Sequence, residues 1–227
     1  MSPQLPVFAF PGSQRPDGPF YRSIVAVDIE GSTRRTNPVK GALRHTMYEL
    51  LRRSMDALGI GPQRCEPLTD RGDGALLLIR PDDDMPKTIL LEQLVPLFAT
   101  LVHEHNNAAE DPALRMRLRA VVHAGEVHSD AHGFYGEAID VAIRLLDCAA
   151  LKAALRQAVS PLVMAVSEDI YFGIVAHGYT GGANYRALTR IRVANKQHRG
   201  WVCTPGMTSE LTTQQQADNF RAHLRSA

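Results

Sequence analysis

Two hydrophobic periods divide this chain. Ser23 to Ile29 is a short apolar run rich in β-branched residues that ends in a Gly-Ser-Thr turn, the pattern of a buried strand. From Pro38, Val39, Leu43, Met47, Leu50, Leu51, Met55 and Leu58 recur at three- and four-residue steps, which predicts an amphipathic helix stopped by Gly59 and Gly61. Arg64 to Thr69 and Gly74 to Ile79 flank Asp70 to Asp73 and predict a hairpin with a long turn. Lys87 to Asn106 reads as a second helix, kinked at Pro96. Leu114 to Val122 alternates Met116, Leu118 and Ala120 with Arg115, Arg117 and Arg119, a strand whose arginine side is expected to form a solvated sheet face.

A turn over Val122 to Val127 is expected next, then a helix from Gly136 to Leu155 with a break near Cys148. Leu162 to Ser167 is a further buried strand and Glu168 to His177 a short helix. Tyr185 to Val193 and Gly200 to Cys203 form a closing hairpin. This order predicts an α+β domain of the ferredoxin-like type, a central mostly antiparallel sheet with flanking helices, over residues 21–206. Residues 1–20 carry Pro3, Pro6, Pro11, Pro16 and Pro19 and are expected to be an extended arm. Residues 207–227 read as a polar tail, with a helix expected at Ala217 to Leu224. No internal repeat is present.

Composition narrows the classes. Lysine and arginine number 25 against 24 acidic residues in 227, so no basic field points to general nucleic-acid binding. Cys65, Cys148 and Cys203 are odd in number and lack CxxC spacing, which argues against a disulfide framework or zinc site and suits a cytoplasmic protein. Neither a signal peptide nor a membrane-spanning run is apparent.

The chemistry gathers at two aspartates. Asp28 ends the first strand and Asp73 lies on or beside the hairpin turn. Mg²⁺ or Mn²⁺ takes hard oxygen donors, typically one or two carboxylates completed by substrate phosphates, and two neighbouring strands can deliver such a pair. After Asp28, Gly31, Ser32 and Thr33 allow backbone N–H groups to approach a phosphate, although the same tripeptide also occurs as a plain turn. Asp140 and Arg144, four apart on a helix, either serve a site or pair with each other.

The segments VDIEGST, DRGDGALLL, RLRAVVHAGEV and FYGEAIDVAIRLLDCA, in this order, resemble the motifs of the class III nucleotidyl cyclase catalytic domain over roughly residues 21 to 204. The resemblance implies that Asp28 and Asp73 hold two metal ions, with the Ile29 carbonyl completing one site. It implies that Gly31 and Ser32 hold the triphosphate, that Arg144 steadies the α-phosphate, and that Lys196 or Arg199 replaces a phosphate-binding lysine. It also implies a homodimer in which Asp28 and Asp73 of one subunit face Asp140 and Arg144 of the other, and a reaction in which a ribonucleoside triphosphate becomes a 3′,5′-cyclic nucleotide and pyrophosphate.

Two departures matter. The family usually has asparagine where this chain has Asp140, and an ionised aspartate cannot donate a hydrogen bond to ribose. The positions that select purines are Thr69 and Gly133 here, and neither purine pair is present. Arg71 can donate to a pyrimidine carbonyl, and Tyr48 either stacks on a base or belongs to the core. These features resemble bacterial pyrimidine cyclases of antiphage signalling, which use UTP or CTP and act through a downstream effector protein. An adenylate or guanylate cyclase with an atypical base pocket and a catalytically degenerate nucleotide sensor are the alternatives. A palm-like enzyme making cyclic dinucleotides would carry a Gly-Gly-acidic-acidic-Phe signature, which is missing.

Overall fold

The β-branched run of the first strand sits at the centre of the molecule, because both of its faces are apolar and each needs a covering layer. In the computed structural model, which describes residues 18–180, 183–188 and 190–206, this strand is β1 (Phe20–Ile29). It pairs antiparallel on one side with β3 (Gly74–Ile79) and on the other with β4 (Leu118–Asp130). With β2 (Thr69–Asp70), β6 (Leu162–Ser167), β10 (Gly200–Cys203) and β7 (Arg186–Ala187), the sheet order is β2-β3-β1-β4-β6-β10-β7. Only the β4–β6 pair is parallel among these ladders.

One face of the sheet is covered by α1 (Asn37–Ala57) and α3 (Val95–Ala108) through Leu43, Met47, Leu51, Leu97 and Phe98. The other is covered by α4 (Glu137–Asp147) and α5 (Ala149–Gln157) through Ile139, Ala142, Leu145, Leu151 and Leu155. The order β2-β3-β1-β4 with α1 and α3 on one face is the ferredoxin-like arrangement expected from the sequence, and the remaining elements are additions to it. Residues 1–17 of the arm expected over 1–20 and the tail over 207–227, including the helix expected at 217–224, lie outside the described residues, while Phe20, the last residue of that arm, opens β1. Among the described residues no helix is long and apolar enough to cross a membrane.

Several boundaries differ from the sequence reading for local reasons. The first hairpin arm shrinks to β2 plus a single Cys65–Ile79 bridge, because Pro67 has no N–H for the ladder and the Glu66 side chain turns inward to Arg22, 2.8 Å away. The second helix is three pieces, α2 (Lys87–Ile89), a π-helical turn over Leu90–Leu94, and α3. Pro96 cannot donate to a carbonyl one turn back, and the wide turn absorbs that loss where a simple kink was expected. The expected turn over Val122 to Val127 is instead continuous strand, since β4 runs on to Asp130 before folding back into β5 (Gly133–Tyr135).

Gly125 is required in β4 for packing: a Cβ there would stand 2.8 Å from the Ala138 Cβ on α4. The closing hairpin is also re-paired. β7 joins β10, while β8 (Ile191–Val193) and β9 (Lys196–His198) form their own two-stranded sheet. The short helix from Glu168 becomes α6 (Glu168–Gly173) followed by a 3₁₀ turn over Val175–His177.

His123 of β4 is 4% exposed, with Nδ1 2.7 Å from the Ser167 hydroxyl of β6. Burial holds its imidazole down to about 4, against 6.5 for an ordinary histidine. The unfolded chain therefore binds a proton that the folded chain refuses, so stability is complete above pH 6.5 and falls as pH drops from 6.5 to about 4. The expected loss across that window is about 3 kcal/mol. Urea melts of the wild type and His123→Gln at pH 7 and pH 4.5 check this, and an equal slope in both proteins would remove His123 as the cause.

Candidate active site

The end of β1 assembles the two aspartates. Sheet register sets Asp28 between Gly74 of β3 and Arg119 of β4, and the Ile29 N–H donates to the Asp73 carbonyl at 3.0 Å. The turn bearing Asp73 is thereby stitched to the strand bearing Asp28. Both residues line one small cavity of about 100 Å³, together with Arg71 of the turn and Asp147 at the end of α4.

On the other side of Asp73 lies a second cavity of about 360 Å³, lined by Ile29, Ser32, Thr33, Lys40, Arg44 and Gly72 as well as Asp73. Gly31 adopts φ 68°, a left-handed conformation costly for other residues, and this starts a 3₁₀ turn over Ser32–Arg34. The first N–H groups of such a turn have no partner within it and are suited to an anion. Lys40, on the first turns of α1, brings a cation to the same cavity. It escaped the sequence reading because a lysine on a polar helix face looks like any solvated charge; its nearness to the Gly-Ser-Thr turn was the available signal.

The alternation of the arginines leading into β4 was legible, but the solvated face expected for them holds only at Arg115, which is exposed ahead of the strand. At Arg117 and Arg119 that face meets α4 and α5. Arg117 donates to the carbonyls of Leu155 and Ala158 at the end of α5 and stands 3.7 Å from Glu30. Arg119 is only 7% exposed and forms an ion pair with Asp28. A buried guanidinium is tolerated only against an opposite charge, and Asp28 supplies it.

The same pair tests the fit of a metal ion. Arg119 balances one of the Asp28 oxygens, so this corner already holds positive charge against that carboxylate. Among the described residues no group of three or more His, Cys, Asp or Glu forms a complete cage. Two carboxylates and a carbonyl suit a hard cation that takes its other ligands from water and a bound phosphate, as Mg²⁺ does.

The α4 residues form a separate group. Glu137, Asp140 and Arg144 recur at helical spacing, with Asp140 and Arg144 exposed while Ala138, Ile139, Val141, Ala142 and Leu145 are buried. Asp140 and Arg144 do not pair with each other among the described residues. Lys196 of β9 reaches this stripe with Nζ 3.0 Å from Glu137 Oε1, and that contact holds the Glu137 carboxyl below its usual value. Arg199 does not join it; its guanidinium stands over the Trp201 ring at 6.0 Å. The cavity holding Asp28 and Asp73 touches α4 at Ile143, Leu146 and Asp147, so one chain alone does not bring Asp140 and Arg144 into it.

The candidate base-contacting residues are dispersed as well. Thr69 pairs with Leu76 beside the Asp73 turn, and Arg71 is exposed at its tip. Gly133 lies beyond the far end of β1, since it follows Asp130 of β4 while Phe20 pairs with Val127. Tyr48 packs partly on the core and also lines a groove of about 1110 Å³ with Arg52, Met55, Ile60, Leu68 and Asp70. Its ring has the Arg44 and Arg52 guanidiniums at 5.2 and 5.7 Å.

The fold defined by these elements is that of the catalytic domains of class III adenylate and guanylate cyclases. Among solved structures, the chain is similar to the catalytic core of a rhodopsin-guanylyl cyclase with converted specificity in complex with ATPαS, at 12% identity and TM-score 0.55, covering 82% of this chain and 96% of that one. It is similar to an adenylate/guanylate cyclase/hydrolase from Silicibacter pomeroyi at 16% identity and TM-score 0.55, covering 83% and 98%. A bacterial light-regulated adenylyl cyclase matches at 13% identity and TM-score 0.58, covering 90% of this chain and 59% of that one. No protein-family model matches the chain, and no curated protein matches its sequence. At these identities the likeness is one of fold.

Proposed function

We propose that this protein is a metal-dependent nucleotidyl cyclase acting on a ribonucleoside triphosphate, with UTP or CTP as the favoured substrate, in the manner of the antiphage pyrimidine cyclases. The observation that carries this reading is the pairing of Asp28 and Asp73 on one cavity beside a second cavity with backbone donors and Lys40. In the reaction the ribose 3′-oxygen attacks the α-phosphorus, the 3′-hydroxyl proton passes to solvent water, the bond from the α-phosphorus to the bridging oxygen of the β-phosphate breaks, and pyrophosphate departs carrying that oxygen. Asp28, Asp73 and the Ile29 carbonyl would hold Mg²⁺ or Mn²⁺, which acidifies the attacking hydroxyl and neutralises phosphate charge. Ser32, Thr33 and Lys40 cradle the triphosphate. Arg144 of a second copy stabilises charge on the α-phosphate, and Asp140 accepts a hydrogen bond from ribose. Lys196, tied to the same helix stripe, is better placed than Arg199 to follow the phosphates. Thr69 and Arg71 adjoin the Asp73 turn and read the base.

A nucleotide sensor without turnover is the second reading, favoured by Asp140, which lacks a donor, and by Arg119, which already neutralises Asp28. Incubation with Mn²⁺ and each of the four triphosphates, with products resolved by mass, separates the readings. The expected result is cyclic UMP or cyclic CMP at least about tenfold above either purine product. A dominant purine product would overturn the base assignment. Nucleotide binding by a folded dimer with no cyclic product would overturn the enzyme and leave the sensor.

A further inference from the structure

The turn that carries Asp73 is gripped from outside the sheet by α1. Arg44 donates from Nη1 to Asp70 Oδ1 at 2.6 Å and from Nη2 to Oδ2, and Nη1 also donates to the Gly72 carbonyl. One helical turn later, the Tyr48 hydroxyl lies 3.3 Å from the Gly74 carbonyl and 3.4 Å from Asp70 Oδ1. Asp70 in turn accepts the Gly72 N–H at 2.8 Å, and the Arg71 N–H donates to the Gly74 carbonyl at 3.0 Å. The backbone is thus fixed on both sides of Asp73, whose own carboxylate takes no hydrogen bond among the described residues.

This grip is badly placed to stabilise the fold. The Arg44 and Asp70 side chains are 36% and 58% exposed, and ion pairs so open to water contribute little to folding. What a bidentate arginine does supply is direction, because a planar fork meeting a carboxylate fixes two angles that a lysine leaves free. Asp73 needs such help. It lines a cavity together with Asp28, and no hydrogen bond among the described residues directs its own side chain.

We propose that Arg44 is a positioning residue: through Asp70 and the Gly72 carbonyl it presets the Asp73 carboxylate beside Asp28 to receive a divalent cation. This rests on the reading of Asp28 and Asp73 as the cation site. Arg44 also borders the phosphate-side cavity, so direct contact with the triphosphate is the rival role.

Four variants decide between them: Arg44→Met, Arg44→Lys, Asp70→Asn, and Arg44→Met with Asp70→Asn. The first readout needs no turnover. Amide hydrogen exchange at Arg71 and Gly72 should quicken about tenfold in Arg44→Met and stay fast in Arg44→Lys, while the rest of the sheet keeps its protection. The Mn²⁺ concentration for half-maximal binding, followed by water-proton relaxation, should rise about tenfold. In cyclase assays the nucleotide KM should remain within about twofold, and the double variant should be no worse than Arg44→Met, since one unit has been broken twice.

Unchanged exchange and unchanged Mn²⁺ affinity would overturn the proposal, whether or not the wild type turns over. A raised KM with normal Mn²⁺ affinity would assign Arg44 to the phosphates instead. A wild type that binds Mn²⁺ but makes no cyclic product, with the exchange and affinity changes present, would leave the grip standing and remove the cyclase reading.

Discussion

Asp73→Asn is expected to lower the rate of cyclic-nucleotide formation by about a thousandfold, since a cation held by one carboxylate gives up several kcal/mol of transition-state stabilisation. The same change should leave stability almost untouched. Asp73 is half-buried, its side chain takes no hydrogen bond among the described residues, and the backbone bond from Ile29 N–H uses its carbonyl, which asparagine retains. Asp28→Asn should be just as inactive and yet behave differently in a denaturant melt. It removes the charge that compensates Arg119, whose side chain is 9% exposed, and a buried guanidinium without its partner costs about 3 kcal/mol. Parallel measurement of turnover and urea midpoint separates the two aspartates. Equal destabilisation by both substitutions would mean that Asp73 is structural; normal turnover in Asp73→Asn would end the metal-site reading.

The second large effect is a restoration. If each site takes Asp28 and Asp73 from one subunit and Asp140 and Arg144 from the other, Asp73→Asn and Arg144→Ala are each nearly inactive as homodimers. Mixing them creates a heterodimer with one fully intact site and one carrying both defects. Random re-association gives half heterodimers with one working site of two, so activity should return to about a quarter of the wild type. The geometry supports this outcome, because Arg144 lies on the exposed face of α4 while the cavity of its own chain reaches Ile143, Leu146 and Asp147. Assay of the mixture is the check, and the heterodimer isolated through two different tags should show about half of the wild-type activity. A mixture as inactive as its parents would exclude a shared site.

Much of this was readable from the sequence because it was local. The run from Ser23 to Ile29, the three- and four-residue steps after Pro38, and the two aspartates at turn positions each announce themselves within a few residues. The ferredoxin-like order followed from element succession, and the sheet has that order. What stayed hidden depended on which face of a strand a distant helix would cover. Alternation told that Arg115, Arg117 and Arg119 share a side, but not that α4 and α5, later in the chain, would cover it from Arg117 onward and leave Arg119 buried against Asp28. Gly125 looked like a turn because glycine usually marks one; the cause is the close approach of Ala138, a contact between elements. Tyr48, which the sequence reads as either core or a base-stacking ring, packs partly on the core and borders an open groove. The α1 grip on the Asp73 turn was missed for a similar reason, since Arg44 and Asp70 are 26 positions apart and each alone resembles an ordinary surface charge.

The central position of β1 also governs the order in which a chain leaving the ribosome can complete its sheet. Its first partner, β3, is complete at Ile79, so a strand pair bearing both aspartates can form early. Its second partner begins at Leu118, and until that segment has been synthesised one edge of β1 stays unpaired and Asp28 has no Arg119 beside it. Non-local pairing of this kind is slow and leaves an open strand edge during growth. The nascent chain therefore has a stage in which the Asp28 carboxylate stands without the arginine that compensates it in the finished sheet.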